Sequence, residues 1–189
     1  MQRVSVVGTS GSGKSTLGTA LAKRLGTEFL ELDSVFHQPG WVPLPEEEFR
    51  RRAGEAVAAE RWVIDGNYSK VRDIIWARAD TVVWLDLPKR TVMRRIIWRT
   101  LGRMARRKEL WNGNRERWRN LFSLDKEESV IVWAWQTHAK NRVKYATAMA
   151  DTANAELHFV RLKKPAEVRR FLRSVPAAPK SGAPASGGH

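Results

Sequence analysis

The chain of 189 residues is 42% hydrophobic, enough for one medium-sized domain with its own core and room for a small insertion. The absence of cysteine excludes disulfides and thiolate catalysis, and four scattered histidines argue against a protein-built transition-metal site. Lys and Arg number 34 against 20 Asp and Glu, a net charge of +14; twelve of these cations, with only two acidic residues, fall between Lys89 and Arg119, and so local an excess points to an anionic partner.

No run approaches the roughly 18–20 consecutive apolar residues that span a membrane. The N-terminus enters a strand-like run directly, without the basic and apolar regions of a secretory signal. The expectation is a soluble cytoplasmic protein with no membrane partner.

The stretch RVSVV, residues 3–7, reads as a buried strand entering a turn at Gly8. Leu17, Ala20, Leu21 and Leu25 then recur at helical spacing over Ser15–Leu25, stopped by Gly26. TEFLELD reads as a second strand ending at Asp33, and HQPGWVPLP, with three prolines and a glycine, as a loop. Pro45 followed by EEEF starts a helix with acidic residues in its first turn, where the helix dipole favours them.

RWVIDGNY and TVVWLDLP are two further apolar runs that close on polar turns, and Pro88 opens a long basic helix. From about Arg107 to Lys126 the pattern is polar and irregular. A helix is expected over Val130–Met149, a fifth strand in ELHFVRL and a last helix from Pro165. The tail from Pro176, rich in Pro, Gly, Ala and Ser, is expected to be disordered, leaving residues 1–175 as the domain. Short apolar strands alternating with helices imply parallel β-α-β units with helices on both faces of the sheet. In such a sheet, ligands bind beyond the carboxyl ends of the strands.

GTSGSGKST, Gly8 to Thr16, matches G-x-x-x-x-G-K-[ST] between a strand and a helix, the context the motif requires. The glycines let several backbone N–H groups face one phosphate chain, and the helix N-terminus adds partial positive charge. Lys14 reaches the β- and γ-phosphates, and the Ser15 hydroxyl serves Mg²⁺.

Three aspartates close apolar runs: Asp33, Asp65 and Asp86. A magnesium nucleotide needs a carboxylate near its γ-phosphate, and Asp65, followed by Gly66, is the choice for that role. Asp33 either accepts the proton of an acceptor hydroxyl, or holds a sugar-like group, or is a solvated strand-end residue. Asp86, just before Pro88, is as readily a turn or cap residue.

Arg95 and Arg99 share a helix face, with Arg103 continuing the row. Their forks suit phosphate oxygens and a lid that brings positive charge to a transferred phosphoryl group. Two alternatives are a solvated basic face and a nucleic-acid patch, the latter because Trp98, Trp111 and Trp118 interleave with the arginines. Nine tryptophans spread through the chain reduce the weight of those three.

With these residues in view, the chain resembles the P-loop kinases of the adenylate kinase type and, more closely, the proteins known as topology modulation proteins. The likeness runs over about residues 1–173 and is specific in GTSGSGKST, LD…PGW, WVIDGNY, ADTVVWLDLP and RRIIWR. It implies a three-layer P-loop NTPase fold, with a five-stranded parallel sheet and a lid-like basic insertion at about residues 99–126. It implies ATP and Mg²⁺ as cofactors and nucleotide-binding roles for Gly8, Thr9, Ser10, Gly11, Ser12, Gly13, Lys14, Ser15 and Thr16. By the same resemblance Ser15 and Asp65 hold the metal and Arg95 and Arg99 flank the lid. KKPAEV is similar to the loop beside the adenine base, which implicates Lys163 to Pro165.

The acceptor pocket is implied between residues 33 and 60, with Trp41 as a candidate wall. The kinase pattern follows the Asp-Gly pair with an aromatic or apolar residue, Pro and Arg; here stand Asn67, Tyr68 and Ser69, so the arginine that grips a nucleoside monophosphate is missing. The expectation is an ATP-dependent phosphotransferase acting on an unidentified small acceptor, with Lys14, Asp33, Arg95 and Arg99 at the chemistry. Its rivals are a nucleotide-dependent nucleic-acid-binding regulator using residues 89–119 and a P-loop ATPase without an acceptor.

Overall fold

A computed structural model describes residues 1–105, 111–113 and 129–178. Most of the lid-like segment, including Trp118 and the cations from Arg106 to Arg119, and the tail beyond residue 178 lie outside the described residues.

Five strands, β1 (Arg3–Gly8), β2 (Phe29–Glu31), β3 (Trp62–Asp65), β4 (Thr81–Leu85) and β5 (His158–Leu162), form one sheet in the order β2-β3-β1-β4-β5. Every pairing is parallel, as expected. The helices are α1 (Lys14–Leu25), α2 (Leu32–Phe36), α3 (Glu46–Ala58), α4 (Ser69–Arg78), α5 (Lys89–Ala105), α6 (Val130–Ala150) and α7 (Pro165–Ser174). Short 3₁₀ turns occupy Pro39–Trp41, Trp111–Gly113 and Thr152–Asn154.

The strands are apolar nearly throughout because both faces of the sheet are covered. Alternate residues divide between two cores. Val4, Val6, Val63, Val83 and Leu85 pack with Leu17, Leu21, Ala22 and Leu25 of α1. Val7, Trp62, Ile64, Val82 and Trp84 pack with Phe49, Ala53 and Val57 of α3, Val71, Ile75 and Trp76 of α4, and Tyr145 of α6. A period of two along each strand sends successive side chains to opposite layers, and each fully buried aliphatic side chain contributes about 1.5–3 kcal/mol.

Two elements differ from the sequence reading. The second strand stops at Glu31, and Leu32–Phe36 form the short helix α2, so Asp33 sits on a helix and not at a strand end. Leu32 is buried against Gly66 of the next crossover, which turns the chain inward there. Helix α4 was not foreseen between the third and fourth strands; it buries Val71, Ile75 and Trp76 while its remaining positions are mixed.

The register aligns the carboxyl ends of the strands. Glu31 of β2 pairs with Asp65 of β3, Asp65 pairs with Val6 of β1, and Gly8 pairs with Leu85 of β4. The phosphate-loop sequence, two carboxylates and the start of α5 therefore share one edge of the sheet. Among the described residues no helix is long and apolar enough to cross a membrane.

Candidate active site

The loop from Gly8 to Gly13 curls between β1 and α1. Gly8 has φ 146°, and a β-carbon there would lie 2.8 Å from the Leu85 carbonyl oxygen, so only glycine fits. Gly11 and Gly13 also have positive φ, and Thr9 and Ser12 are buried within the loop. Gly13 is the N-cap of α1, with no side chain capping its first turn, which leaves the amides of that turn facing the edge where Lys14 and Ser15 stand.

The register places Glu31 and Asp65 side by side. The Ser15 hydroxyl donates to Glu31 Oε1 at 2.5 Å. Asp65 is 2% exposed, and its Oδ2 is buried without a hydrogen-bond partner among the described residues. Burial raises the Asp65 carboxyl from 3.8 to about 7, opposed first by the Lys14 ammonium and raised further by the nearby Glu31 and Asp33 carboxylates. A buried, unpaired carboxylate oxygen beside a lysine and a hydroxyl is the kind of donor that a hard cation satisfies.

Among the described residues no group of three His, Asp or Glu side chains converges as an all-protein metal cage. Magnesium does not require one: it is held by one or two carboxylates together with waters and substrate phosphates. Ser15, Asp65 and Glu31 fit that description. Glu31 was missed in the sequence, although its signal, the carboxylate pair Glu31 and Asp33 two residues apart, was present in the ELD stretch.

Helix α5 lies directly over the loop: a β-carbon on Gly11 would meet Ile96 Cβ at 2.8 Å. From this helix Arg95 donates through Nη1 to the Ser12 carbonyl at 3.0 Å, and Arg99 lies 3.4 Å from the Ser10 hydroxyl. Both expected arginines contact the loop between β1 and α1, Arg95 from an exposed position. Arg90, Arg94 and Trp98 form an exposed stripe of the same helix.

Lys163 and Pro165 lie after β5 at the same sheet edge. The backbone N–H groups of Lys163 and Lys164 donate to Glu167 Oε2 at 2.7 and 3.2 Å, and Pro165 occupies the first turn of α7. Asp86 is a structural residue: Arg161 grips its Oδ2 through two nitrogens, at 2.9 and 2.6 Å, and Arg142 approaches Oδ1 at 2.9 Å.

On the other side of the carboxylates, the Tyr68 hydroxyl donates to Asp33 Oδ1 at 2.6 Å and lies 3.4 Å from His37 Nε2. Phe36 and Phe49 pack around the Tyr68 ring, with centroids 4.7 and 5.1 Å away, and Trp41 stands edge-on to His37 at 5.3 Å. Burial lowers the His37 pKa, with the Asp33 carboxylate pulling the other way. Asn112, within the lid-like segment, donates to the carbonyls of Ser34 and His37 at 3.2 and 2.5 Å. The result is a half-buried cluster of aromatic rings around the Asp33 carboxylate.

The strand order, the loop after β1 and the crossover helices give this chain the fold of the P-loop kinases. A family profile for shikimate kinase matches residues 10–59, a span that holds most of the phosphate loop, Glu31 and the aromatic residues from Phe36 to Phe49 beside Asp33. The chain is 34% identical over 105 residues to a shikimate kinase of Synechococcus sp., covering 48% of this chain and 54% of that protein. It is 30% identical over 104 residues to the uncharacterized protein YqaC of Bacillus subtilis, covering 54% of this chain and 58% of that one. The chain thus spans little more than half the length of these relatives. Among solved structures, shikimate kinase from Acinetobacter baumannii in complex with shikimate superposes with a TM-score of 0.56 at 19% identity, over 93% of this chain and 90% of that one.

Proposed function

We propose that the protein is an ATP-dependent phosphotransferase that moves a phosphoryl group onto a hydroxyl of a small acceptor. The observation that carries this reading is the meeting, at one sheet edge, of the phosphate loop, the Ser15–Glu31–Asp65 cluster and the hydrogen-bonded Asp33–Tyr68 pair. The loop amides and Lys14 hold the triphosphate. Ser15 and Asp65, with Glu31 beside them, would hold Mg²⁺, which when bound would neutralise negative charge on the triphosphate. Lys163 and Pro165 border the base through the turn they form.

Asp33 accepts a hydrogen bond from the acceptor hydroxyl and takes its proton as the new O–P bond forms and the bond to the ADP oxygen breaks. Tyr68 holds one Asp33 oxygen and so leaves the other for the acceptor. Arg95 and Arg99 sit where charge develops on the transferred group.

The cluster favours an alcohol over a nucleoside monophosphate. Where the adenylate kinase pattern places an arginine, this chain has Ser69, and the adjacent Tyr68 donates to a carboxylate, an arrangement suited to hydroxyl groups and unsuited to a second phosphate. The similarity of residues 10–59 to shikimate kinase supports the same choice. Within the P-loop kinases, the LD…PGW and WVIDGNY stretches support a place among the topology modulation proteins.

The test is ATP consumption against a panel of sugars, cyclic and linear polyols, hydroxy acids and nucleoside monophosphates, with Lys14→Ala as control. Acceptor-dependent ADP formation with an alcohol is expected. Failure of the purified protein to bind Mg-ATP, or unchanged binding by Lys14→Ala, would sink the reading. ADP formed equally with and without every acceptor would convert it to a P-loop ATPase. Duplex DNA binding that is gated by ATP and survives physiological salt would favour the nucleic-acid regulator instead.

A further inference from the structure

The residue that follows Asp65-Gly66 joins three parts of the molecule. Asn67 Oδ1 accepts the Gly8 N–H at 3.1 Å while its Nδ2 donates to the Gly8 carbonyl at 2.6 Å. One side-chain amide therefore holds both backbone groups of the residue at which β1 becomes the phosphate loop. The Tyr145 hydroxyl donates to the same Asn67 Oδ1 at 2.8 Å, and Lys144 Nζ donates to the Asn67 backbone carbonyl at 3.3 Å. Tyr145 is 1% exposed and packs between Trp84 and Trp76, with ring centroids 5.9 and 6.5 Å away.

This pattern fixes which end of the amide faces which partner. Oδ1 takes two donors, so Nδ2 must be the group on the Gly8 carbonyl. Aspartate has no donor for that carbonyl, and glutamine is a methylene too long for the same two-point grip. Backbone groups otherwise use such bonds in a ladder, but Gly8 stands where the ladder ends, and the amide replaces it.

We propose that Asn67 is a positioning residue for the phosphate loop, and that Tyr145 holds its amide in place. Helix α6, which follows the lid-like segment, is thereby tied to the first peptide of the loop. The proposal rests on the reading of Gly8–Thr16 as the nucleotide site, but it needs no acceptor and no turnover for its test. Two adjacent residues then serve opposite halves of the site, Asn67 holding the donor loop and Tyr68 holding the acceptor carboxylate.

The experiment measures Mg-ATP affinity by calorimetry for the full chain and for Asn67→Asp, Asn67→Leu and Tyr145→Phe, each checked for folding by near-ultraviolet circular dichroism. Asn67→Asp keeps shape and one acceptor but sets an oxygen against the Gly8 carbonyl, so Mg-ATP binding is expected to weaken tenfold or more. Asn67→Leu should do the same without added charge. Tyr145→Phe retains the ring and is expected to weaken Mg-ATP binding about threefold to tenfold, with magnesium pyrophosphate affected in equal proportion because the defect lies under the phosphates. A purely structural role would lower the unfolding midpoint and leave these affinities alone. Affinities within twofold of the parent in folded Asn67→Asp and Tyr145→Phe overturn the proposal; if Asn67→Asp does not fold, Tyr145→Phe decides it. A parent protein that binds no Mg-ATP overturns the phosphate-loop reading, and the proposal with it.

Discussion

The hydroxyl of Tyr68 donates to Asp33 Oδ1 at 2.6 Å across a separation of 35 residues, joining the turn after β3 to the short helix α2. Burial, reinforced by the carboxylate of Asp33, raises the phenol well above its ordinary pKa, so it is a hydrogen-bond donor at every working pH. The bond holds Asp33 in one rotamer and leaves its second oxygen for a ligand. Tyr68→Phe keeps the ring among Phe36 and Phe49 and removes only that donor. A hydrogen bond to a charged group contributes about 1.5–3 kcal/mol, so kcat/KM for the acceptor should fall about tenfold or more while Mg-ATP affinity stays within twofold. Steady-state kinetics with the acceptor found in the panel would check it; equal losses for both substrates would show that Tyr68 acts on the whole fold.

Asp65 predicts a conflict between binding and stability. Its carboxyl titrates near 7 in the folded protein against 3.8 as the ordinary value, because it is buried. Between those pH values the folded state keeps a proton that the unfolded state has lost. Stability of the nucleotide-free protein therefore falls as pH rises from about 4 to 7 and is level above, with a ceiling of roughly 4 kcal/mol on the effect. Asp65→Asn removes the titration. The variant should be more stable than the parent at pH 8, converge with it near pH 4 and fail to bind Mg-ATP tightly. Urea unfolding at the two pH values is the measurement; a variant less stable at pH 8 would contradict the assignment.

How far the site could be read from the sequence follows from how local its contacts are. The phosphate loop is nine consecutive residues with a fixed spacing, so it was legible, as were the five strands and their parallel arrangement. Arg95 and Arg99 were legible because helical spacing alone puts them on one face. Glu31 was overlooked because the second strand was carried through to Asp33; with the strand ending at Glu31, that carboxylate points to Ser15, and Asp33 turns away on α2. Asn67 and Tyr68 registered only as a departure from a kinase pattern. Their partners lie 59, 78 and 35 residues away, and no local periodicity announces such pairings.

Arg95 and Arg99 are expected to differ in weight. Arg95 makes a well-formed bond to the Ser12 carbonyl at 3.0 Å, whereas Arg99 stands 3.4 Å from the Ser10 hydroxyl. A cation that touches the loop backbone is already placed when the nucleotide arrives, which is the condition for stabilising developing charge without reorganisation. Arg95→Ala should lower kcat by about a hundredfold, and Arg95→Lys should recover only part of it because the planar fork is lost. Arg99→Ala should cost less, about tenfold. Rates measured at saturating Mg-ATP separate these effects from binding, and an order reversed between the two positions would mean that Arg99 carries the charge.

Asp86 offers the opposite case, a charged cluster at the same sheet edge that serves the fold. Its side chain is 1% exposed, and it is gripped by Arg161 through two nitrogens and approached by Arg142. The Arg161 guanidinium also lies 4.3 Å above the Trp84 ring, which ties the ion pair to the core beneath β4. Removing one partner of a buried pair leaves the other charge uncompensated, at a cost of about 3–5 kcal/mol when both are fully buried. Arg161 and Arg142 are 29% and 54% exposed, so water would recover part of that loss for both arginines. Asp86→Ala should therefore destabilise the protein by about 2 kcal/mol in urea unfolding. None of its ion-pair partners belongs to the phosphate loop or to the cluster around Asp33 and Tyr68, so Mg-ATP affinity should stay within about threefold of the parent. Loss of nucleotide binding at unchanged stability would reverse the assignment and make Asp86 part of the site.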